Sequence, residues 1–272
     1  MKRSLILSLA LAAWSVSAFA GLITSSNVVT TTQRSGPYGA LTSTFSYNVP
    51  SGTNRCLVVF ANVGVVSGAY PSVSSVTYGG VPLTRAVSKT QQEQGFFYYT
   101  DSEIWYLVNP AAGVSQNIVI SGAAWDAVAN GAVTLYNVNP FTPLGQTGSN
   151  GSSADGSVAL SVPLSNLKLE SWILSDIGHL SDGTNTPTSN ISGTFFTHSA
   201  FLAGEGERAG AGYTEVDNTS ETVSWSYHKA SNIRGALVAA EFLAIPEPGS
   251  FLLLLSGAAG VLMVRRQGRP AR

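Results

Sequence analysis

The chain has 272 residues, of which 44% are hydrophobic and only 11% charged, and it contains a single cysteine. Setting aside Lys2, Arg3 and the four arginines after position 264 leaves eight basic residues against fourteen acidic ones before Pro246, a net charge of −6. A diffusely acidic middle without a basic run excludes nucleic-acid binding, and one cysteine excludes an internal disulfide framework.

The first twenty residues divide into a positive start at Lys2 and Arg3, an apolar run from Leu5 to Val16, and the small-residue triplet Ala18-Phe19-Ala20. This is the layout of a secretory signal peptide, and it predicts cleavage by signal peptidase between Ala20 and Gly21. Residues 1–20 are therefore expected to be removed on export.

Residues 21–244 read as strands almost throughout. Gly, Ser, Thr and Asn are abundant and no sustained 3.6-residue period appears. Strand patterns fall at Thr44–Val49, Arg55–Val63, Val73–Tyr78, Val81–Val87, Ser102–Val108, Gln116–Ser121 and Ala132–Val138. Later ones fall at Ser157–Val162, Leu169–Ile177, Ala209–Val216, Glu221–His228 and Arg234–Leu243. Most are β-branched or aromatic runs bounded by Gly, Pro, Asn or Ser. Between Glu221 and His228 the alternation is strict, so Val223, Trp225 and Tyr227 share one face. Tyr78-Gly79-Gly80-Val81 predicts a two-residue hairpin, because both central positions need positive φ. Cys56, just before Leu57-Val58-Val59-Phe60, reads as a small buried apolar residue. The polar stretches 145–156 and 181–192 read as long loops within one domain. The expected fold is all-β, a single two-sheet jelly-roll-like sandwich.

The end of the chain carries an ordered signal. Pro246-Glu247-Pro248 precedes an uncharged apolar run from Phe251 to Val264, followed by Arg265, Arg266, Arg269 and Arg272. Arginines after an apolar stretch hold that end on the cytoplasmic side. The run is shorter than the roughly 17–25 residues of a comfortable transmembrane helix, which suits a transient anchor.

These residues resemble a PEP-CTERM sorting signal: a Pro-Glu-Pro motif, a short apolar helix and an arginine cluster. The resemblance covers residues 245–272. It implies a Gram-negative host that makes exopolysaccharide, and processing near Pro246, Glu247 and Pro248 by an exosortase, with Arg265 and Arg266 opening the cytoplasmic cluster. Within the middle, "RCLVVFANV", "VSSVTYGGVPLTRAVS", "SEIWYLVNPAAGVSQNIVISG", "GAVTLYNVNPFTPLGQT" and "RGALVAAEFL" resemble a widespread, mostly uncharacterised bacterial extracellular β-sandwich module. That resemblance implies the fold and no activity.

Searching for chemistry finds no Gly-x-Ser-x-Gly elbow, no His-Glu-x-x-His and no phosphate-binding loop. His179, His198 and His228 are scattered singly, which is no zinc pattern. The expectation is a protein without catalytic residues, metal or cofactor, placed at the cell surface or in the exopolysaccharide matrix. Two alternatives stand beside it. One is a carbohydrate-binding module, with Trp125 as the tryptophan expected to be exposed. The other is an envelope glycoside hydrolase using Asp101 with Glu103, or Glu205 with Glu207, since i, i+2 spacing puts two carboxylates on one strand face. The stretch Asp176–Gly183 offers oxygen ligands for calcium if it is a loop.

Overall fold

The computed structural model describes residues 22–39, 42–65, 70–93, 98–123, 125–154, 156–181, 187–199, 206–229 and 234–246. Apart from Pro246, they belong to one compact unit, Gly21–Ile245. The expected signal peptide, and the expected sorting tail from Glu247 onward, lie outside the described residues.

Every described element is a strand. The first half carries β1 (Thr24–Gly39), β2 (Thr42–Asn48), β3 (Cys56–Val65), β4 (Ser72–Tyr78), β5 (Val81–Pro82), β6 (Thr84–Gln92), β7 (Tyr99–Val108), β8 (Ser115–Ala123) and β9 (Trp125–Tyr136). The second half carries β10 (Leu144–Ser152), β11 (Gly156–Ser165), β12 (Trp172–Ser181), β13 (Thr188–Ser189), β14 (Gly193–Ser199), β15 (Gly206–Glu215), β16 (Ser220–Lys229) and β17 (Gly235–Phe242). All pairings between them are antiparallel.

The expectation of one sandwich of two sheets is corrected here: the strands form four sheets. The first half builds an outer sheet, β2-β8-β4-β5, and an inner sheet, β1-β9-β3-β7-β6. The second half builds an inner sheet, β10-β17-β12-β15-β14, and an outer sheet, β11-β16-β13. The two halves follow the same strand order: β10, β11 and β12 take the places of β1, β2 and β3, and β14 to β17 take those of β6 to β9.

Three apolar cores hold the layers together. Phe45, Tyr47, Ile118 and Ile120 of the first outer sheet pack on Leu57, Val59 and Trp105 of the first inner sheet. Val158, Leu160, Val223 and Trp225 of the second outer sheet pack on Ile173, Ile177 and Leu237 of the second inner sheet. Between them, Val58, Phe60, Ile104 and Val133 meet Trp172, Leu174, Val238 and Phe242. The inner strands are therefore covered on both faces, and β3 and β17 are buried along their whole length. That is why "CLVVFANVGV" and "GALVAAEF" read as near-continuous apolar runs rather than alternating ones. Cys56 is buried in the central core, and burial pushes its thiol up.

The Tyr78–Val81 hairpin forms as read, with Gly79 and Gly80 at φ +56° and +83°. Among the elements that differ from the reading are β13, inside the stretch 181–192 read as loop, and β14, which no strand pattern marks. The polar stretch from Leu144 to Ser152 is an edge strand paired with β17. Thr24–Gly39, which carried no clear strand signal, is the edge strand of the first inner sheet, paired with β9.

The shared interface has two unlike ends. At one end the first and last described segments lie side by side. The Asn137 amide donates to Leu22 O at 3.0 Å, and Ile245 N donates to Asn137 O at 3.1 Å. A bridge between Val138 and Ala244 reinforces this point, and Ile23 is buried in the central core. The opposite end lies where β3 finishes and β7, β15 and β17 begin. There the interface turns polar.

Candidate functional site

The polar end is organised by β7, whose run Thr100-Asp101-Ser102-Glu103 alternates between the two faces of the first inner sheet. Thr100 and Ser102 face the second half of the protein; Asp101 and Glu103 face the other way. All four are buried.

Between the inner sheets, Asn62 on β3 and Asp176 on β12 meet across the interface. These are corresponding strands of the two halves. The Asn62 amide donates to Asp176 Oδ1 at 3.0 Å, and the Ser102 hydroxyl, with one hydrogen to give, lies 2.8 Å from Asn62 Oδ1 and 3.0 Å from Ala236 O. The Thr100 hydroxyl donates to Glu207 Oε1 at 2.5 Å. Gly178 makes room for these groups: a Cβ there would lie 2.6 Å from Asn62 Oδ1, 2.6 Å from Ser102 Oγ and 2.8 Å from Glu207 Oε1. Asp176 Oδ2 and Glu207 Oε2 are buried without a hydrogen-bond partner. A charge in such a place is costly, so the proton stays on. Burial pushes Glu207 up to about 8, against the pull of Thr100 and of nearby Arg234, and pushes Asp176 well above the carboxylate range. Arg234 itself is buried, paired with Glu93 at 3.1 Å, donating to Val65 O at 3.0 Å and lying over the Tyr98 ring.

On the opposite face of β7, the carboxyl groups of Asp101 and Glu103 stand near enough for each to shift the other's ionisation. Thr90 donates to Asp101 Oδ1 at 2.9 Å, the Trp105 indole donates to Glu103 Oε2 at 2.6 Å, and Arg85 pairs with Glu103 Oε1 at 3.3 Å. Burial, and then the neighbouring Glu103, raise Asp101 to about 8; burial also raises Glu103 against the pull of Arg85.

The i, i+2 reading placed Asp101 and Glu103 on one strand face, and they are there. Both are buried, Asp101 at 2% and Glu103 at 2% exposure. The second pair divides differently: Glu205 lies outside the described residues, and Glu207 belongs to the inter-sheet cluster. Asp176 to Ser181 is strand rather than loop, which corrects the calcium-loop reading: Asp176 points toward the first half, and His179 points away and stacks on Tyr227, with ring centroids 4.7 Å apart. His228 is exposed and bonded to Ser157 at 2.9 Å, while the His198 side chain lies outside the described residues.

Trp125 is not exposed. Its position at the start of β9 turns it into the core beneath the first outer sheet, where its side chain is 0% exposed and its Nε1 donates to Ser72 O at 3.1 Å. β8 runs through to Ala123, and Gly122 leaves room for the Trp125 ring, which a Cβ there would strike. Trp105, Trp172 and Trp225 are buried as well. Pro246, the first residue of the Pro-Glu-Pro run, is exposed directly after Ile245, the last hydrogen-bonded residue among those described.

A more open concavity of about 560 Å³ lies at the end where the first and last described segments lie side by side, lined by Leu22, Thr24, Leu169, Glu170, Trp172 and Tyr213, with Glu215 and Asp217 at its rim. Trp172 and Tyr213 stack at 4.0 Å, and Glu170 holds φ +68° to make the turn into β12. The lining contains no cationic side chain. Comparison with family models, with curated proteins and with solved structures returned no match.

Proposed function

We propose that the chain is an exported, non-catalytic surface or exopolysaccharide-matrix protein, secreted through its signal peptide, held by the C-terminal helix and processed by an exosortase at Pro246–Pro248. In this reading each half is a jelly-roll-like sandwich, and the tandem pair is the cargo delivered by the tail. The supporting observation is the exit of both ends at Asn137: Leu22 and Ile245 are tied to the same residue, and the Pro-Glu-Pro motif starts one residue beyond the last bonded position. A cut there would leave every strand intact.

Deleting Pro246–Pro248 tests the proposal by cell fractionation. The expected result is a full-length chain retained in the membrane fraction, while the wild-type chain appears as a shorter product outside it. Identical products from both would overturn it.

A second reading, a carbohydrate-binding module, is favoured by the concavity at Trp172 and Tyr213, since apolar walls with a few convergent polar groups are the usual form of a ligand site. The carboxylate rim excludes anionic sugars and suits neutral ones. Retention on the host's own exopolysaccharide that is unchanged by Asp217→Asn together with Glu215→Gln would count against that site.

A further inference from the structure

Among the described residues seven large apolar side chains are exposed: Leu22, Val28, Tyr70, Val81, Val114, Phe141 and Leu169. Five of them crowd one end. Val81 belongs to the Gly79–Gly80 hairpin and Val114 to the β7–β8 connection, which Gly113 ties to Val49. Leu22 is bonded to Asn137. Phe141 stands on the turn capped by Asn139, whose side chain accepts from Phe141 N and Thr142 N. Leu169 sits on the turn between β11 and β12. Each is more than half exposed, and Phe141 reaches 92%. All four layers contribute a connection to this end, and it is the end from which the chain continues into an uncharged run of fourteen residues, Phe251 to Val264.

We infer that this end of the double sandwich rests on the bilayer surface, with Phe141, Leu22, Val114 and Leu169 seated among the lipid headgroups while the tail holds the chain. Scattered exposed apolar residues need no explanation; a set gathered at the exit of an apolar tail does. The connection from Asn137 to Pro143 carries no charge, so Phe141 enters the interface without dragging an ion with it. Near Leu22 and Leu169 the carboxylates Glu170, Glu215 and Asp217 outnumber the exposed Lys168 on the same turn, which favours a zwitterionic lipid over an anionic one. Five small contacts cannot hold a domain alone, and stable attachment takes a second signal, here the tail. The inference therefore rests on the anchored precursor proposed above.

The experiment uses the full chain reconstituted in phosphatidylcholine vesicles. An environment-sensitive dye is placed at Phe141→Cys, and in a second protein at Tyr70→Cys, which is exposed at the opposite end; the native Cys56 is buried and stays unlabelled. Doxyl-labelled lipid is then added as a quencher. The expected result is co-flotation of both proteins with vesicles, an about two-fold loss of emission at Phe141→Cys and little at Tyr70→Cys. Co-flotation with equal or absent quenching at the two positions overturns the inference and leaves the anchored precursor standing. Failure to float overturns the anchored precursor and the inference with it.

Discussion

The two ends of the interface between the sandwiches are built from the same strands and hold different things. Near the first and last described segments, Val58, Phe60, Ile104 and Leu135 meet Trp172, Leu174, Val238 and Phe242, and packing there is purely apolar. A few residues along the same strands stand Asn62, Thr100, Ser102, Asp176 and Glu207. The first end supplies burial without conditions. The second loses stability when its carboxyl groups give up their protons, because among the described residues neither Asp176 nor Glu207 is ion-paired with a cation. Within the polar end the halves also differ: the first contributes neutral hydroxyls and an amide, the second both acids.

The comparison breaks most visibly at the apolar end. Truncating Phe242→Ala or Phe60→Ala is expected to cost about 3–5 kcal/mol, equally at acid and alkaline pH, in urea unfolding. A pH dependence in that loss would show that the two ends are not separable.

The polar end is expected to set the pH profile. Glu207 and Asp101 keep their protons up to about 8 in the folded protein, whereas unfolded carboxylates release theirs near 4. Between those values the folded state binds more protons, so stability is greatest in acid, falls as pH rises from about 4 to 8, and levels off above. The loss is expected to be about 2–5 kcal/mol. Glu207→Gln and Asp176→Asn should each flatten the profile, raising stability at pH 9 more than at pH 5, because the amide needs no proton. A profile unchanged in both variants would contradict the assignment.

Gly178→Ala is expected to cost about 1–3 kcal/mol, since its Cβ would overlap Asn62, Ser102 and Glu207. Arg85→Ala should have the smallest effect, under about 1 kcal/mol, because the arginine is half exposed. Its cost should grow toward alkaline pH, where Glu103 ionises without its cation. Thermal midpoints across a pH series separate these two variants.

Much of the strand content was legible because turn residues punctuate it. Gly79-Gly80 and the alternating Val223-Trp225-Tyr227 face are where local chemistry put them. The second sandwich was not legible as a repeat. Cys56–Val65 and Trp172–Ser181 take corresponding places in the two halves yet share little beyond their apolar character, so the strand order matches while the letters do not. The strand Leu144–Ser152 read as loop because an edge strand needs only half its backbone paired and tolerates Gly, Ser and Asn. Trp125 was misjudged because burial from above depends on an outer sheet that only the fold supplies. The Asp101–Glu103 pair was visible from its spacing alone. The Asn62–Asp176 contact spans 114 positions and joins separate halves, and no local pattern marks it.

The most direct test of the whole account is the intact mass of the mature protein recovered from its host. The predicted product begins at Gly21 and ends within Pro246–Pro248, keeping every residue from Ile23 to Ile245 that the two sandwiches bond or bury. A product that retains the Phe251–Val264 run, or one cut inside β17, would contradict it.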